Sequence, residues 1–369
     1  MTAAAHADAL REAGRLMTIC NACRYCEGLC AVFPAMEMRR TFAAGDLNYL
    51  ANLCHQCGAC LPDCQYAPPH QFDVNIPGSL AKLRNESYAA YAWPRAFAGL
   101  FERNGLYVAI AAAVGVAVFI AAFVGLHDPA VLFGRHAGDF YRLMPHETMV
   151  ALFGAVSLYA VLAFAFSLSA YWRDINANGP HIGFGAIGQA VRDACEMRYM
   201  HGGGGGCTTE NETPSPVRRI FHHLTFYGFM LCFASTSVAT LYHYGWGLKA
   251  PYPILSAPVL LGILGGIGLL VGPAGLYWLS RRRDPKMTDR AHRGMDVAFL
   301  AMLFLTSLTG FLLMALRDTP AMGLLLSVHL GVVLALFLSL PYGKFVHGLY
   351  RFLALVKYAA ERKQGTFVE

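Results

Sequence analysis

Cys20-Asn-Ala-Cys23-Arg-Tyr-Cys26-Glu-Gly-Leu-Cys30 and Cys54-His-Gln-Cys57-Gly-Ala-Cys60-Leu-Pro-Asp-Cys64 carry one spacing twice, C-x2-C-x2-C-x3-C. Together they hold eight of the chain's 11 cysteines. Three thiolates at such intervals can wrap the corners of one iron–sulfur cubane while the fourth points toward another, so the two runs predict two [4Fe-4S] clusters. The expected assignment is crossed. Cys20, Cys23 and Cys26 share one cluster with Cys64, and Cys54, Cys57 and Cys60 share the other with Cys30. Disulfides fit poorly, because cysteines this close cannot pair comfortably within a run and a secreted scaffold would spread them through a small domain. Zinc takes four ligands and has no need of the second C-x2-C step in each run. The proline that usually follows such a run is displaced: Ala31 and Gln65 come next, with Pro34 and Pro68 only nearby.

Outward from the runs, the composition changes. Of 369 residues, 56% are hydrophobic and 14% charged, too apolar a balance for a soluble protein of this size. Uncharged runs from Leu106 to Leu126, Thr148 to Trp172, Leu224 to Leu241, Tyr252 to Ser280, Val297 to Leu316 and Ala321 to Gly343 are each about long enough to cross a ~30 Å hydrocarbon core. The expected fold is therefore mainly α. A helical, ferredoxin-like two-cluster domain (1–80) leads through an interfacial connector (81–105) into a six-span, cytochrome b-like bundle (106–369) with a long loop at 173–219.

Met1 to Ile19 is an Ala-rich amphipathic segment broken by Arg11, Glu12 and Arg15, without a cleavable apolar stretch. All but four of the 29 Lys and Arg (Arg135, Arg142, Lys249 and Arg317) fall in the head, the loops on its side or the tail. The positive-inside rule then places the head and both termini in the cytoplasm of a bacterial inner membrane. The net charge of +6 is accounted for this way and calls for no nucleic acid.

Within the head, Met36 to Leu53 has helical apolar spacing, with Phe42, Leu47 and Leu50 available to pack the clusters. Pro68, Pro69 and Pro77 exclude a long helix directly after the second run. Tyr88, Tyr91 and Trp93 read as anchors at the lipid headgroups. The 173–219 loop holds Gly183-Phe-Gly185-Ala-Ile-Gly188, which matches G-x-G-x-x-G but lacks the strand a dinucleotide fold requires. It also holds Cys195, His201 and Cys207 around the run Gly202 to Gly206. Three donors are too few for a closed metal site, and free thiols beside a close backbone contact are the plainer reading.

Histidines in spans are costly and usually functional. His329 and His347 lie 18 residues apart, five turns on one face of a helix and ~27 Å along it. A helix shared by two stacked haems needs that arrangement. The third span supplies partners at matching depths: His222, better aligned with His243 than His223 is, and His243 itself. The expected bis-histidine b haems are His243 with His329 and His222 with His347. One haem remains an alternative, His146 and His292 could each replace a ligand, and no C-x-x-C-H motif allows covalent attachment.

The two cysteine runs, Gly202-Gly-Gly-Gly-Gly-Cys207, Arg219-Ile-Phe-His-His-Leu-Thr-Phe-Tyr-Gly-Phe229, Arg293-Gly-Met-Asp-Val297, Leu308-Thr-Gly310 and Leu340-Pro-Tyr-Gly-Lys-Phe-Val-His347 resemble the tricarballylate or citrate utilization protein B type of membrane electron-transfer protein. The likeness covers nearly the whole chain. It implies electron transfer from a soluble FAD-dependent dehydrogenase, the tricarballylate enzyme in that family, to the membrane. The last span also resembles the diheme cytochrome b of the nitrate reductase gamma subunit, where two histidines of one helix serve two haems; His329 and His347 match that pattern.

One-electron carriers in a head joined to one-electron carriers in a membrane, with no flavin motif or substrate site, read as a wire rather than a catalyst. The expected acceptor is a membrane quinone near the far haem, beside Tyr242, His243, Tyr244, Trp246 and Lys249, where an aromatic belt is the competing reading. The reverse flow, from quinol to a cytoplasmic reductase, is the alternative. A membrane redox sensor or transporter is weaker, because the spans carry Gly265, Gly266, Gly268 and Gly272 but no central charges.

Overall fold

The computed structural model describes residues 3–126, 132–136, 138–177, 179–210 and 212–365. Its head begins with α1 (Ala3–Cys23), followed by α2 (Val32–Glu37), α3 (Ala44–Leu53) and α4 (Ile76–Ala90). As the prolines require, no α-helix forms between Cys64 and Asn75. Helix α4 starts once the Asn75 side chain accepts from Gly78 N at 3.0 Å, with Pro77 in the first turn where its missing N–H costs nothing.

The membrane part is α5 (Asn104–Leu126), α6 (His146–Ile175), α8 (Val217–Trp246), α9 (Ala257–Arg282), α10 (Arg293–Leu316) and α11 (Met322–Ser339); α7 (Phe184–Cys195) lies in the long loop. Among the described residues six segments are long and apolar enough to cross a membrane, the sixth running from Met322 to Gln364. The chain is a mainly helical membrane protein, as its composition predicts. An isolated β-bridge pairs Cys207 with Ser215.

Two departures from the sequence reading bear on function. His329 and His347 do not share one continuous helix: the chain tightens into a 3-10 turn at Leu340–Tyr342 and restarts as α12 (Val346–Gln364). Pro341, which lacks an N–H to extend the ladder, lies at that break. Helix α12 then turns into the head, where Tyr350, Ala354, Leu355 and Tyr358 join Leu16, Met36, Leu50 and Leu80 in one buried core. At its far end Glu361, fully buried, pairs with Arg39 at 2.5 Å and accepts from the Tyr49 hydroxyl at 3.0 Å. The second departure is the connector. Tyr88 is fully buried against Tyr350 and Phe101 rather than at a headgroup, and Tyr91 bonds Asp174 and packs on Tyr171.

The span glycines are packing residues. A Cβ on Gly268 of α9 would sit 2.7 Å from the Leu224 carbonyl of α8, so only glycine lets these two backbones meet. This contact fixes the helix that carries His222.

Candidate functional site

Helix α1 delivers Cys20 and Cys23 on its last turn, and Arg24, in the left-handed region at φ 57°, turns the chain so that Cys26 and Cys30 follow around a compact loop. Cys54 caps α3, and Gln56 (φ 54°) and Gly58 (φ 85°) fold the second run back on itself. All eight cysteines are free thiols, half-buried or buried. Cys30, Cys54, Cys57 and Cys60 line one pocket together with Leu29, Val32, Phe33 and Ile76. Around Cys20 the neighbouring sulfurs are Cys26, Cys64 and Cys23; around Cys30 they are Cys57 and Cys54. The two groups thus interleave the runs.

Burial, reinforced by these neighbours, pushes the Cys20 and Cys26 thiols up to about 12 and the Cys57 thiol up to about 11. Cys30 and Cys60 rise well above their ordinary value for the same reasons. Such thiols stay protonated unless a cation takes the proton's place, which iron does. Among the described residues no three His, Cys, Asp or Glu converge on a single-ion site. A cubane asks for less convergence than one ion, since each thiolate binds a different iron. The donor set and its wider spacing fit clusters.

The glycine loop closes over both runs. Gly203 (φ 79°) lies against Leu29, and Gly202 (φ 51°) against Ala59. Thr208 N donates to the Cys57 carbonyl at 2.9 Å, which sets the buried Cys207 beside Cys57. Cys207 thus lies at a close backbone contact, and the backbone in question belongs to the second cysteine run. Cys195 sits apart, at the end of α7. The Gly183–Gly188 stretch opens α7, with Phe184 94% exposed and no strand before it.

Of the four histidines expected to bind haem, two meet. The rings of His222 and His347 stand 6.0 Å apart, centre to centre, at 74°. A metal–nitrogen bond of ~2 Å on each side plus ~1 Å from each nitrogen to its ring centre gives ~6 Å, so the gap suits two imidazoles on opposite sides of one ion. His347 Nδ1 is engaged by the Lys344 carbonyl at 2.5 Å, which leaves Nε2 free, and His222 Nδ1 is buried without a partner. A backbone-oriented imidazole is the usual form of a metal ligand.

At the other end of the spans the expected pair does not meet. His243 stacks on His146 at 3.8 Å and 17°, whereas His329 Nδ1 bonds Thr309 Oγ1 at 2.9 Å. Face-to-face rings cannot ligate one ion from opposite sides. His292, at the head-side end of α10, pairs through Nδ1 with Asp289 at 2.7 Å and leaves Nε2 buried without a partner.

Between the thiol pocket and the head-side histidines lies a group the sequence reading missed. Arg351 Nη2 and Arg84 Nη1 each donate to the Cys54 carbonyl at 2.9 Å, and Arg218 Nη1 donates to the Gln56 carbonyl at 2.8 Å and the His55 carbonyl at 3.1 Å. Arg218 precedes His222 by four residues and Arg351 follows His347 by four, so each histidine shares a helix face with an arginine that grips the second run. That spacing was available in the sequence once the histidines were chosen. His55 is buried between them, its charged form disfavoured by burial and by Arg351 and Arg218.

A cysteine-rich helical head continuous with a six-span helical bundle defines a membrane protein of the iron–sulfur electron-transfer class. The citrate utilization protein B family model matches residues 101–366, and the model of its Fer4-like domain matches residues 13–90. The citrate utilization protein B of Escherichia coli is 50% identical over 355 residues, covering 96% of this chain and 93% of that protein. The chain belongs to the citrate utilization protein B family. No solved structure matches it.

Proposed function

We propose that this protein conducts electrons from a cytoplasmic FAD-dependent dehydrogenase, through two [4Fe-4S] clusters in its head and haem b in its membrane bundle, to the quinone pool of a bacterial inner membrane. The observation that carries the reading is the shared clamp: Arg218 and Arg351 tie the Cys54–Gln56 backbone to the two helices bearing His222 and His347. When bound, the clusters and haem supply one-electron redox chemistry, which splits the electron pair of a reduced flavin.

The chain's own contribution is position and environment. Cys20, Cys23, Cys26 and Cys64 would hold the outer cluster, and Cys30, Cys54, Cys57 and Cys60 the inner one. His222 and His347 would ligate the head-side haem. A second haem on His243 and His329 belongs to the same reading and requires His243 to leave His146. The 173–219 loop would cover the first run through Gly203 and the second through Gly202 and Thr208. The E. coli relative's name points to a citrate-related pathway as the setting.

The test is a reduced-minus-oxidised spectrum of the purified protein with iron and haem quantified, followed by addition of reduced dehydrogenase or of quinol. Haem reduction by the dehydrogenase supports this direction. Reduction by quinol alone reverses it, and a protein that retains no haem or holds no iron overturns the reading.

A further inference from the structure

The head-side mouth of the bundle gathers more basic than acidic side chains. Arg218 lies in the first turn of α8, Arg283 directly after α9, Lys344 between α11 and α12, Arg351 in α12, and Arg84 reaches in from α4. Arg84 and Arg218 stand close enough to Arg351 to repel it, and Arg283 faces Arg218 and Arg84 as well. The acid among them is Asp296, bonded to Lys344 at 2.7 Å. Burial and the neighbouring arginines push Arg283 down to about 9, although Asp296 lies near. Cations gathered out of water are unfavourable unless an anion joins them.

Their donors are only partly used. The Nε–H groups of Arg84, Arg283 and Arg351 are buried with no acceptor, and Arg84 is 3% exposed. The hydrogen bonds that Arg84, Arg218 and Arg351 do make run to neutral carbonyls, to the amide of Gln56 and to the Cys207 sulfur, and none runs to a carboxylate. Guanidinium groups in this state suit carboxylates, whose two oxygens match the planar fork.

Resting on the proposed His222–His347 haem site, we infer that Arg84, Arg283 and their neighbours form a carboxylate-binding cradle for the two propionates of that haem. The placement favours this source of carboxylate over a free one, because Arg218 and Arg351 each lie one turn from a proposed ligand on the same helix. The cradle would also set orientation, holding the charged edge of the group toward the head.

The test uses the full-length protein, made without haem and reconstituted in detergent with haem b or with its dimethyl ester, whose propionates carry no charge. Wild type should bind the ester about 10- to 100-fold more weakly than haem, as expected for losing charged hydrogen bonds. In Arg283→Gln that discrimination should shrink several-fold while the EPR signals of the clusters persist, and Arg84→Gln should shrink it as well. Equal binding of haem and ester by wild type overturns the inference but leaves the histidine pair intact. Binding of neither removes the haem reading itself. A shift of the inner cluster's midpoint potential with discrimination unchanged would assign the arginines to the cluster's charge instead. Displacement of haem by excess citrate would assign the cradle to a free polycarboxylate.

Discussion

Arg351 Nη2 donates to the carbonyl of Cys54 at 2.9 Å, one helical turn from His347, so one side chain spans from a proposed cluster loop to a proposed haem helix. Arg351→Leu removes that donor and leaves the carbonyl to Arg84. The loss of one buried hydrogen bond costs about 1–3 kcal/mol. Clusters should still assemble, and haem reduction by a reduced head should slow at least several-fold. Stopped-flow absorbance, with iron quantified beside it, measures both; an unchanged rate would separate the clamp from the electron path.

Cys64→Ser should disturb the cluster held mainly by the first run, because Cys64 neighbours Cys20 and Cys26 rather than Cys54. EPR of the reduced protein should lose the Cys20–Cys26 cluster's signal and keep the other. The opposite loss would mean that each run closes its own cluster.

Removal of iron should leave unreactive thiols. With Cys20 and Cys26 at about 12 against an ordinary 9.0, their thiolate fraction at pH 8 falls about a thousandfold below a free cysteine's. After chelation under reducing conditions, mass spectrometry should show iodoacetamide alkylating an exposed peptide thiol far sooner than either residue. Reactivity should rise steeply as the pH approaches 12. Fast labelling at pH 8 would show that the head opens without iron.

His222→Ala and His347→Ala should each abolish the same head-side haem, since the two rings stand 6.0 Å apart, centre to centre, at 74°. His329→Ala should spare it. Pyridine haemochrome content together with split absorbance bands reads this directly. A second haem lost with either His243 or His329 would establish the far-side pair, and His243→Ala without effect would leave His243 to its stack on His146.

At the far end Trp246 is 67% and Tyr244 65% exposed, while Tyr242 packs edge-on against Trp246 and Tyr252. Trp246→Ala and Lys249→Ala should slow reoxidation of haem by added quinone if the acceptor binds there. An unchanged rate with haem retained would leave these residues to the lipid interface.

What the sequence determined by itself is the chemistry of each part. Eight cysteines at that spacing exclude most other uses, and uncharged runs of span length have few stable fates outside a bilayer; both signals are local and need no knowledge of the fold. The nearness of Cys64 to Cys20 and Cys26, and of Cys54 and Cys57 to Cys30, follows the same local spacing, which aims the fourth cysteine of each run away from its first three. What tertiary structure decided is which parts meet. The break at Pro341 swings His347 off the helix of His329 and seats α12 in the head, where Glu361 closes on Arg39. His243 finds His146 rather than His329, and Arg351, from a helix 297 residues further along the chain, reaches Cys54 beside Arg84. Periodicity measures positions along one helix. The approach of two helices is set by the small residues between them, such as Gly268 under Leu224, and by charges that become neighbours only once the chain has closed.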